Sequence, residues 1–212
     1  MNKLKGKVIL ITGAGKGSGR LLVQAFAEQG AIVAANDISP INVEEVVNQI
    51  IAKGGRAKAY IEDVAKKVGA QNIINQVEDD FGHIDVLINH AAVEPHVPLL
   101  DIDEWDWHRV LDVNLTGAFL MTQSAGRVMR TQGSGVIINL ISRSTRDESK
   151  ARTDPSRSEA AFIASMQGLD GLTHQAAREL RPYGIQVYSV ENRSEKIVES
   201  IFALLDLQTE ER

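Results

Sequence analysis

The residues with the clearest chemical purpose are the glycines of Thr12-Gly13-Ala14-Gly15-Lys16-Gly17-Ser18-Gly19 and the carboxylate of Asp37. The glycine stretch follows the apolar run Val8-Ile9-Leu10-Ile11 and leads into Arg20-Leu21-Leu22-Val23-Gln24-Ala25-Phe26. That is the pattern of a strand, a tight turn and a helix. Glycine lets the backbone take positive φ and lets a phosphate approach with no Cβ in the way. The helix behind the turn offers free N–H groups and the positive end of its dipole. Asp37 ends the next apolar run, Ala31-Ile32-Val33-Ala34-Ala35. An acid roughly 20 residues past such a turn can accept hydrogen bonds from a ribose 2′-OH. A solvated turn residue is the other role open to it. Together these residues point to a dinucleotide site.

Candidates for proton transfer are few. The chain has three tyrosines, Tyr60, Tyr183 and Tyr188, and no cysteine, so thiolate chemistry, disulfides and Cys-based zinc sites are excluded. Tyr60 falls on a strand expected near the adenine side, Tyr183 follows a long helix remote from the glycines, and Tyr188 is expected in the core. His90 and His96 lie in or beside the loop after the fourth strand, and histidine suits acid–base work near neutral pH. Solvated loop histidines are the simpler alternative. Lys150 and Arg146 reach the site only if their polar loop folds over it. No metal site is expected.

These residues need elements to hold them. Strands are expected at Val8–Ile11, Ala31–Ala35, Ala57–Ile61, Val86–Asn89, Val136–Ile141 and Ile185–Val190. Mostly continuous apolar runs suit strands buried on both faces. Between them, helical spacing gives one stripe of Val43, Val46, Val47, Ile50 and Ile51. Ile73, Ile74, Val77 and Phe81 make a second, and Ile163, Met166, Leu169, Leu172, Ala176 and Leu180 a third. Alternation of strand and helix predicts an α/β, doubly wound parallel sheet of the Rossmann type. Residues Arg143 to Arg157 are polar and aperiodic, and read as a loop. After Val190 the chain passes straight into a last helix carrying Ile197, Val198, Ile201, Phe202, Leu204 and Leu205, with a polar tail at Gln208–Arg212.

Length and composition fit this picture. The 212 residues suit a single domain over 1–212, and 43% hydrophobic with 24% charged residues is ordinary for a globular protein. A net charge of −5 disfavours nucleic acid and anionic membrane as partners. The apolar run behind the basic N-terminus is too short for a signal sequence, and no stretch approaches the ~20 apolar residues of a membrane span. A cytoplasmic protein is expected.

The motifs, in order along the chain, resemble the short-chain dehydrogenase/reductase family, in particular its 3-oxoacyl-carrier-protein-reductase-like branch. Thr12-Gly13-x-x-x-Gly17-x-Gly19 matches the family's glycine turn, and Asp63-Val64 matches the pair that contacts adenine. Asn89-His90-Ala91-Ala92 is similar to a drifted Asn-Asn-Ala-Gly motif. Trp105 through Asp112-Val113-Asn114-Leu115 matches the helix with the catalytic Asn, here Asn114, and Gly135 through Ser142 matches the fifth strand with its catalytic Ser. The resemblance implies strand order 3-2-1-4-5-6, a nicotinamide cofactor held by Gly13, Gly15, Lys16, Gly17, Ser18, Gly19, Asp37, Asp63, Val64, Asn89, His90 and Ala91, and hydride exchange with a small-molecule carbonyl or alcohol. A basic residue such as Lys16 often accompanies NADP in the family. Asp37 would repel a 2′-phosphate, so NAD is expected over NADP.

The chain departs from the family where the chemistry should be. Pro155 stands at the Tyr of the Tyr-x-x-x-Lys signature and Glu159 at its Lys, while Asn192-Arg193 replaces the Pro-Gly after the sixth strand. The usual substrate loop and seventh strand have no counterpart in the sequence. Proline has no proton to give, and an ionised Glu159 would raise, not lower, the pKa of a neighbouring acid. Losing a positioned acid or base costs ~100- to 10,000-fold. Impaired catalysis is therefore expected, with a non-catalytic dinucleotide-binding sensor, scaffold or partner subunit as the alternative. Ser142 and Asn114 are either catalytic remnants or, respectively, a strand-end cap and a helix-to-strand hydrogen bond. Asp63 is an adenine contact or a helix N-cap. Of Trp105 and Trp107, one is expected in the core and the other at an interface. A homodimer or higher homo-oligomer is expected through helices at Asp103–Arg130 and Ser156–Arg181.

Overall fold

Alternation of buried strands and amphipathic helices produces the expected sheet. The computed structural model describes residues 4–142, 159–192 and 196–210. Strands β1 (Val8–Thr12), β2 (Ile32–Asp37), β3 (Arg56–Ile61), β4 (Val86–Asn89), β5 (Gly135–Ile141) and β6 (Ile185–Glu191) form one parallel sheet. Its order is β3-β2-β1-β4-β5-β6. The chain direction of growth therefore reverses between β1 and β4, where the ends of those strands part and leave a crevice.

Helices cover both faces. Because side chains alternate along a strand, Ile9 and Ile11 of β1 face α1 (Gly17–Glu28), α2 (Pro40–Ala52) and the last helix, whereas Val8 and Leu10 face the other layer. That second layer holds α3 (Lys67–Phe81), α5 (Ala118–Gln132) and α6 (Ala160–Leu180). Between α4 (Glu104–Leu111) and α5, residues Asp112–Gly117 form a π-helical segment, so the three run on as one bent rod. The last helix, α7 (Ile197–Glu210), buries Ile197, Ile201 and Leu205 against α1, and the Phe202 ring meets Phe26 edge-on at 5.0 Å. The polar residues Gln208 to Glu210 continue this helix instead of forming a separate tail.

Turn chemistry explains the element ends. Pro40 opens α2 with φ preset for a helix. Gly82 (φ 79°) closes α3 in the left-handed conformation that glycine takes without strain. At the sheet edge, β3 alternates exposed and half-buried residues over 56–59 and buries only Tyr60, unlike the fully buried β1, and Lys58 projects out to Asp80 at 2.6 Å. A charged, alternating edge resists further strand pairing.

Several packing expectations need correction. Ile51 is 53% exposed, because the α2 stripe that meets the sheet is completed by Val43, Val46, Val47 and Ile50 alone. Tyr60, on β3 as expected, is buried among α3 residues, with its hydroxyl donating to Asp80 at 2.7 Å. Burial and then the Asp80 carboxylate push that phenol's pKa up, the reverse of what a proton donor needs. Tyr188 is only half-buried and joins no core cluster. Neither tryptophan is in the core: Trp105 is 69% exposed under Arg109, and Trp107 is half-buried. Helix α6 begins at Ala160, later than the expected Ser156.

Candidate functional site

The crevice at the carboxyl ends of β1, β2, β4 and β5 is a cleft of about 420 Å³. Gly13, Lys16, Gly17 and Ser18 form its floor, with Asp37 and Ile38 after β2, and Asp63 and Val64 after β3. His90 to Glu94, Arg109 and Val113, and Ser142, Phe162 and Asn192 complete it.

The glycine turn is built so that backbone can approach backbone. Gly13 (φ 65°) and Gly17 (φ 54°) need the left-handed region. A Cβ at Gly19 would run into the Gly13 carbonyl oxygen, and one at Gly15 would stand 2.9 Å from Asp37 Oδ2. Gly15 and Gly19 therefore shape the turn from beneath and do not line the cleft. The Asp37 carboxylate accepts from Gly15 N at 2.9 Å and from Ser39 N at 2.9 Å. This holds the acid at the end of β2, beside the turn. Thr12 Oγ1 accepts from the backbone of His90 (3.0 Å) and Ala91 (3.1 Å), joining the ends of β1 and β4.

His90 is tied more closely than its loop position suggests. Its Nδ1 lies 3.1 Å from the Gly13 carbonyl and its Nε2 2.8 Å from Ser18 Oγ. A carbonyl only accepts, so Nδ1 carries the proton and the neutral Nε2 accepts from the Ser18 hydroxyl. Asn192 Nδ2 donates to the same Ser18 oxygen at 3.3 Å. Burial holds the imidazole pKa below its ordinary value, against hydrogen bonds to the Gly13 and Thr12 backbone and the charge of Asp37. With both nitrogens occupied, His90 is not free to hand a proton to a substrate.

Two residues expected in the site face elsewhere. Asn89 is 5% exposed and turns into the core, where its Nδ2 donates to Asn139 Oδ1 (2.8 Å) and Thr122 Oγ1 (3.2 Å). It ties β4 to β5 and α5 and does not line the cleft. Asn114 is 1% exposed in the π-helical segment. It accepts from Val93 N (2.8 Å) and donates to Val93 O (3.0 Å) and Ser165 Oγ (3.0 Å). Its role is thus to fasten the loop after β4 to the helices. Ser142 does line the cleft. Asp63 lines it too, but is not an N-cap: it accepts from Ala65 N at 3.0 Å, and the N-cap of α3 is Lys66. Pro155, Arg146, Lys150, Arg193 and the rest of the Arg143–Arg157 loop lie outside the described residues.

Other features carry no local sequence signal. Asn36 Nδ2 donates to the carbonyls of Tyr60 and Glu62, both at 3.0 Å, which fixes the loop carrying Asp63. Arg109 and Phe162 reach the cleft from α4 and α6. Glu94, His96 and Glu159 come together, with their ligand-type atoms all within 4.8 Å of one another.

The parallel sheet, the reversal at β1 and β4, and a glycine turn opening a helix at the cleft define a Rossmann-type α/β protein. Comparison with known proteins is consistent and specific. Residues 7–192 match the short chain dehydrogenase family model. A 3-oxoacyl-[acyl-carrier-protein] reductase from Thermotoga maritima is 34% identical over 188 residues, covering 89% of this chain and 74% of the relative. The NAD+-bound structure of a xylitol dehydrogenase superposes with a TM-score of 0.80 at 33% identity, covering 89% of this chain and 70% of the other. A metagenomic short-chain oxidoreductase in complex with NADP gives 0.85 at 28% identity, covering 95% and 90%. The chain belongs to the short-chain dehydrogenase/reductase family of oxidoreductases, which use nicotinamide cofactors. Among the described residues no helix is long and apolar enough to cross a membrane.

Proposed function

We propose that this chain binds NAD in the cleft and that the family's usual carbonyl–alcohol chemistry is impaired in it. The observation that carries NAD is Asp37, whose carboxylate is anchored on the Gly15 and Ser39 N–H groups at the end of β2. A ribose diol can donate to such a carboxylate, whereas a 2′-phosphate would meet it charge against charge. Lys16, also in the cleft, offsets this in part.

The other lining residues fit the same cofactor. Gly13, Gly17 and Ser18 offer a turn without obstructing side chains and the N-terminus of α1 for the phosphates. Asp63 and Val64 suit the adenine, and His90 and Ala91 line the side toward β4. Asn192 Oδ1 is buried and has no hydrogen-bond partner among the described residues, so this wall has an acceptor to spare for an amide or hydroxyl donor. When bound, nicotinamide supplies or takes the hydride. Moving the matching proton is the weak step: Pro155 has none to give, and Glu159 brings no cation. Among the described residues, Asn114, committed to Val93 and Ser165, favours the alternative of a dinucleotide-binding protein without turnover.

The substrate of an active form would be a small carbonyl or alcohol, and nucleic acid and membrane are not partners. As one domain, the chain would pair as a homodimer or higher homo-oligomer through α5 and α6, where Phe119 is 41% exposed beside Leu172 and Tyr183. A cytoplasmic location fits these properties. Titration calorimetry with NAD and NADP tests the cofactor reading: NAD binding with weaker NADP is expected, and binding of neither refutes it. Placing Tyr and Lys together (Pro155→Tyr with Glu159→Lys) tests the impairment. Gain of carbonyl reduction is expected if only the proton relay is lacking, and turnover by the unmodified chain as fast as by that variant would refute it.

A further inference from the structure

The bonds around Ser18 allow one more change of state than the fold requires. The Ser18 hydroxyl is the second residue of α1, at the helix end where the proposed phosphates dock. In the free protein its hydrogen is spent on His90 Nε2, at 2.8 Å, and its oxygen accepts from Asn192. Suppose His90 takes a proton from solvent at Nε2. The ring then donates twice, to the Gly13 carbonyl and to Ser18 Oγ, both already at hydrogen-bond distance. No heavy atom has to move. Only the hydroxyl hydrogen swings out, and Ser18 becomes a donor toward the mouth of the cleft.

We propose that His90 couples dinucleotide binding to proton uptake: the phosphates are bound together with one proton, which resides on His90 Nε2 and turns the Ser18 hydroxyl into a phosphate donor. This rests on the cofactor reading given above.

The electrostatics favour it. The ring packs against the glycine turn and α1, which present Gly13, Gly19 and Ser18, and Asn192 at the end of β6 donates to the same Ser18 oxygen; none of these is charged. The charged residues lining the same cleft are Lys16, Arg109, Asp37, Glu62, Asp63 and Glu94. Asp37 is the one whose charge acts on the ring, and it already favours the imidazolium. Desolvation alone outweighs it in the free protein. A phosphate held at the N-terminus of α1, where Ser18 sits, would add to the Asp37 side of that balance and raise the pKa. Linkage then requires the converse: NAD binds more tightly as the pH falls, between the bound-state and free-state pKa values of the ring. One linked proton limits the gain to about tenfold per pH unit.

The experiment is calorimetric titration of the full chain with NAD from about pH 8 to about pH 5.5, in buffers of differing ionisation heat. Expected is an affinity that rises on acidification, with uptake of up to one proton, and loss of both in His90→Asn. NMR titration of the histidine ring protons in the unmodified chain, with and without NAD, reads the same effect without a variant: one imidazole pKa must rise on binding. Binding without proton uptake or pH dependence overturns the coupling and leaves the cofactor reading intact. Uptake that persists in His90→Asn assigns the proton to another group and also overturns it. No NAD binding at any pH removes the cofactor reading and this inference together.

Discussion

Replacing Asp37 by alanine separates what this carboxylate does for the fold from what it does for the ligand. In the free protein it accepts two backbone hydrogen bonds, from Gly15 and Ser39, both at 2.9 Å. Hydrogen bonds to a charged group contribute about 1.5–3 kcal/mol each when shielded. Asp37 is half-buried and Ser39 lies beside solvent, so each bond falls below that range, at about 1 kcal/mol, and a loss of about 2 kcal/mol is expected. For a chain of this size that lowers the melting temperature by about 4–8 °C. On the proposed cofactor reading, alanine also removes the ribose acceptor, which is expected to cost NAD a further ~2–3 kcal/mol, or roughly 30- to 150-fold in Kd. NADP should change in the other direction. A carboxylate and a phosphate about 4–5 Å apart near a protein surface repel by roughly 3–4 kcal/mol before salt screening. Relief of even half of this improves NADP binding at least about tenfold.

The assay is a thermal melt of the free variant beside calorimetric Kd values for NAD and NADP. Asp37→Asn is the control, because its amide oxygen keeps one acceptor and drops the charge. It should melt closer to the parent chain while still losing its discrimination against NADP. An alanine variant that binds NAD as tightly as the parent would refute Asp37 as the ribose acceptor. An unchanged melting temperature would refute the contribution assigned to the two backbone bonds.

Three further outcomes follow from the packing. Asn114→Ala removes the partners of both Val93 backbone groups, and a loss of about 3 kcal/mol, or about 6–12 °C in a thermal melt, is expected; a melt unchanged within error means the loop is held by other contacts. Phe202→Ala loses the edge-on contact with Phe26 and part of the α1–α7 interface, about 2 kcal/mol by urea denaturation; no loss would show that α7, which lies outside the family match, is not integral to the domain. The depressed His90 pKa makes folding favour the neutral ring, so this stability is complete above the unfolded-state pKa of about 6.5 and is lost as pH falls from there toward the folded-state value. Urea melts at about pH 7.5 and about pH 5.5 should show a drop that His90→Asn reduces, and an equal drop in both proteins would place the titrating group elsewhere.

The sheet was readable because its signals are local. Apolar runs name the six strands to within a residue or two, the helical stripes place helices between them, and Asp37 needs only its place at the end of β2 to be picked out. What escaped the sequence depends on which way a side chain turns. Asn89 and His90 are neighbours, yet alternation sends Asn89 inward to Asn139 and His90 out to Ser18. Nothing local reveals that Ser18 and Asn192, 174 positions apart, share a hydrogen bond, because only the parallel order of β1, β4, β5 and β6 brings them to one edge. Ile51 misled for a related reason: its spacing fits the α2 stripe, but the stripe is wider than the strip of sheet beneath it.

The same geometry ties the residues around the cleft to the stability of the family fold. Asn36 lines the cleft and fixes the loop after β3, while Thr12 and Asn114, behind it, hold strand ends and the loop after β4, so replacing any of them would cost stability whether or not the protein turns over a substrate. Glu159, at the position of the family's Lys, precedes the first turn of α6 and belongs to no core cluster, and its charge is opposite to that of a Lys. Stability thus protects the residues that shape the pocket, whatever chemistry the pocket carries.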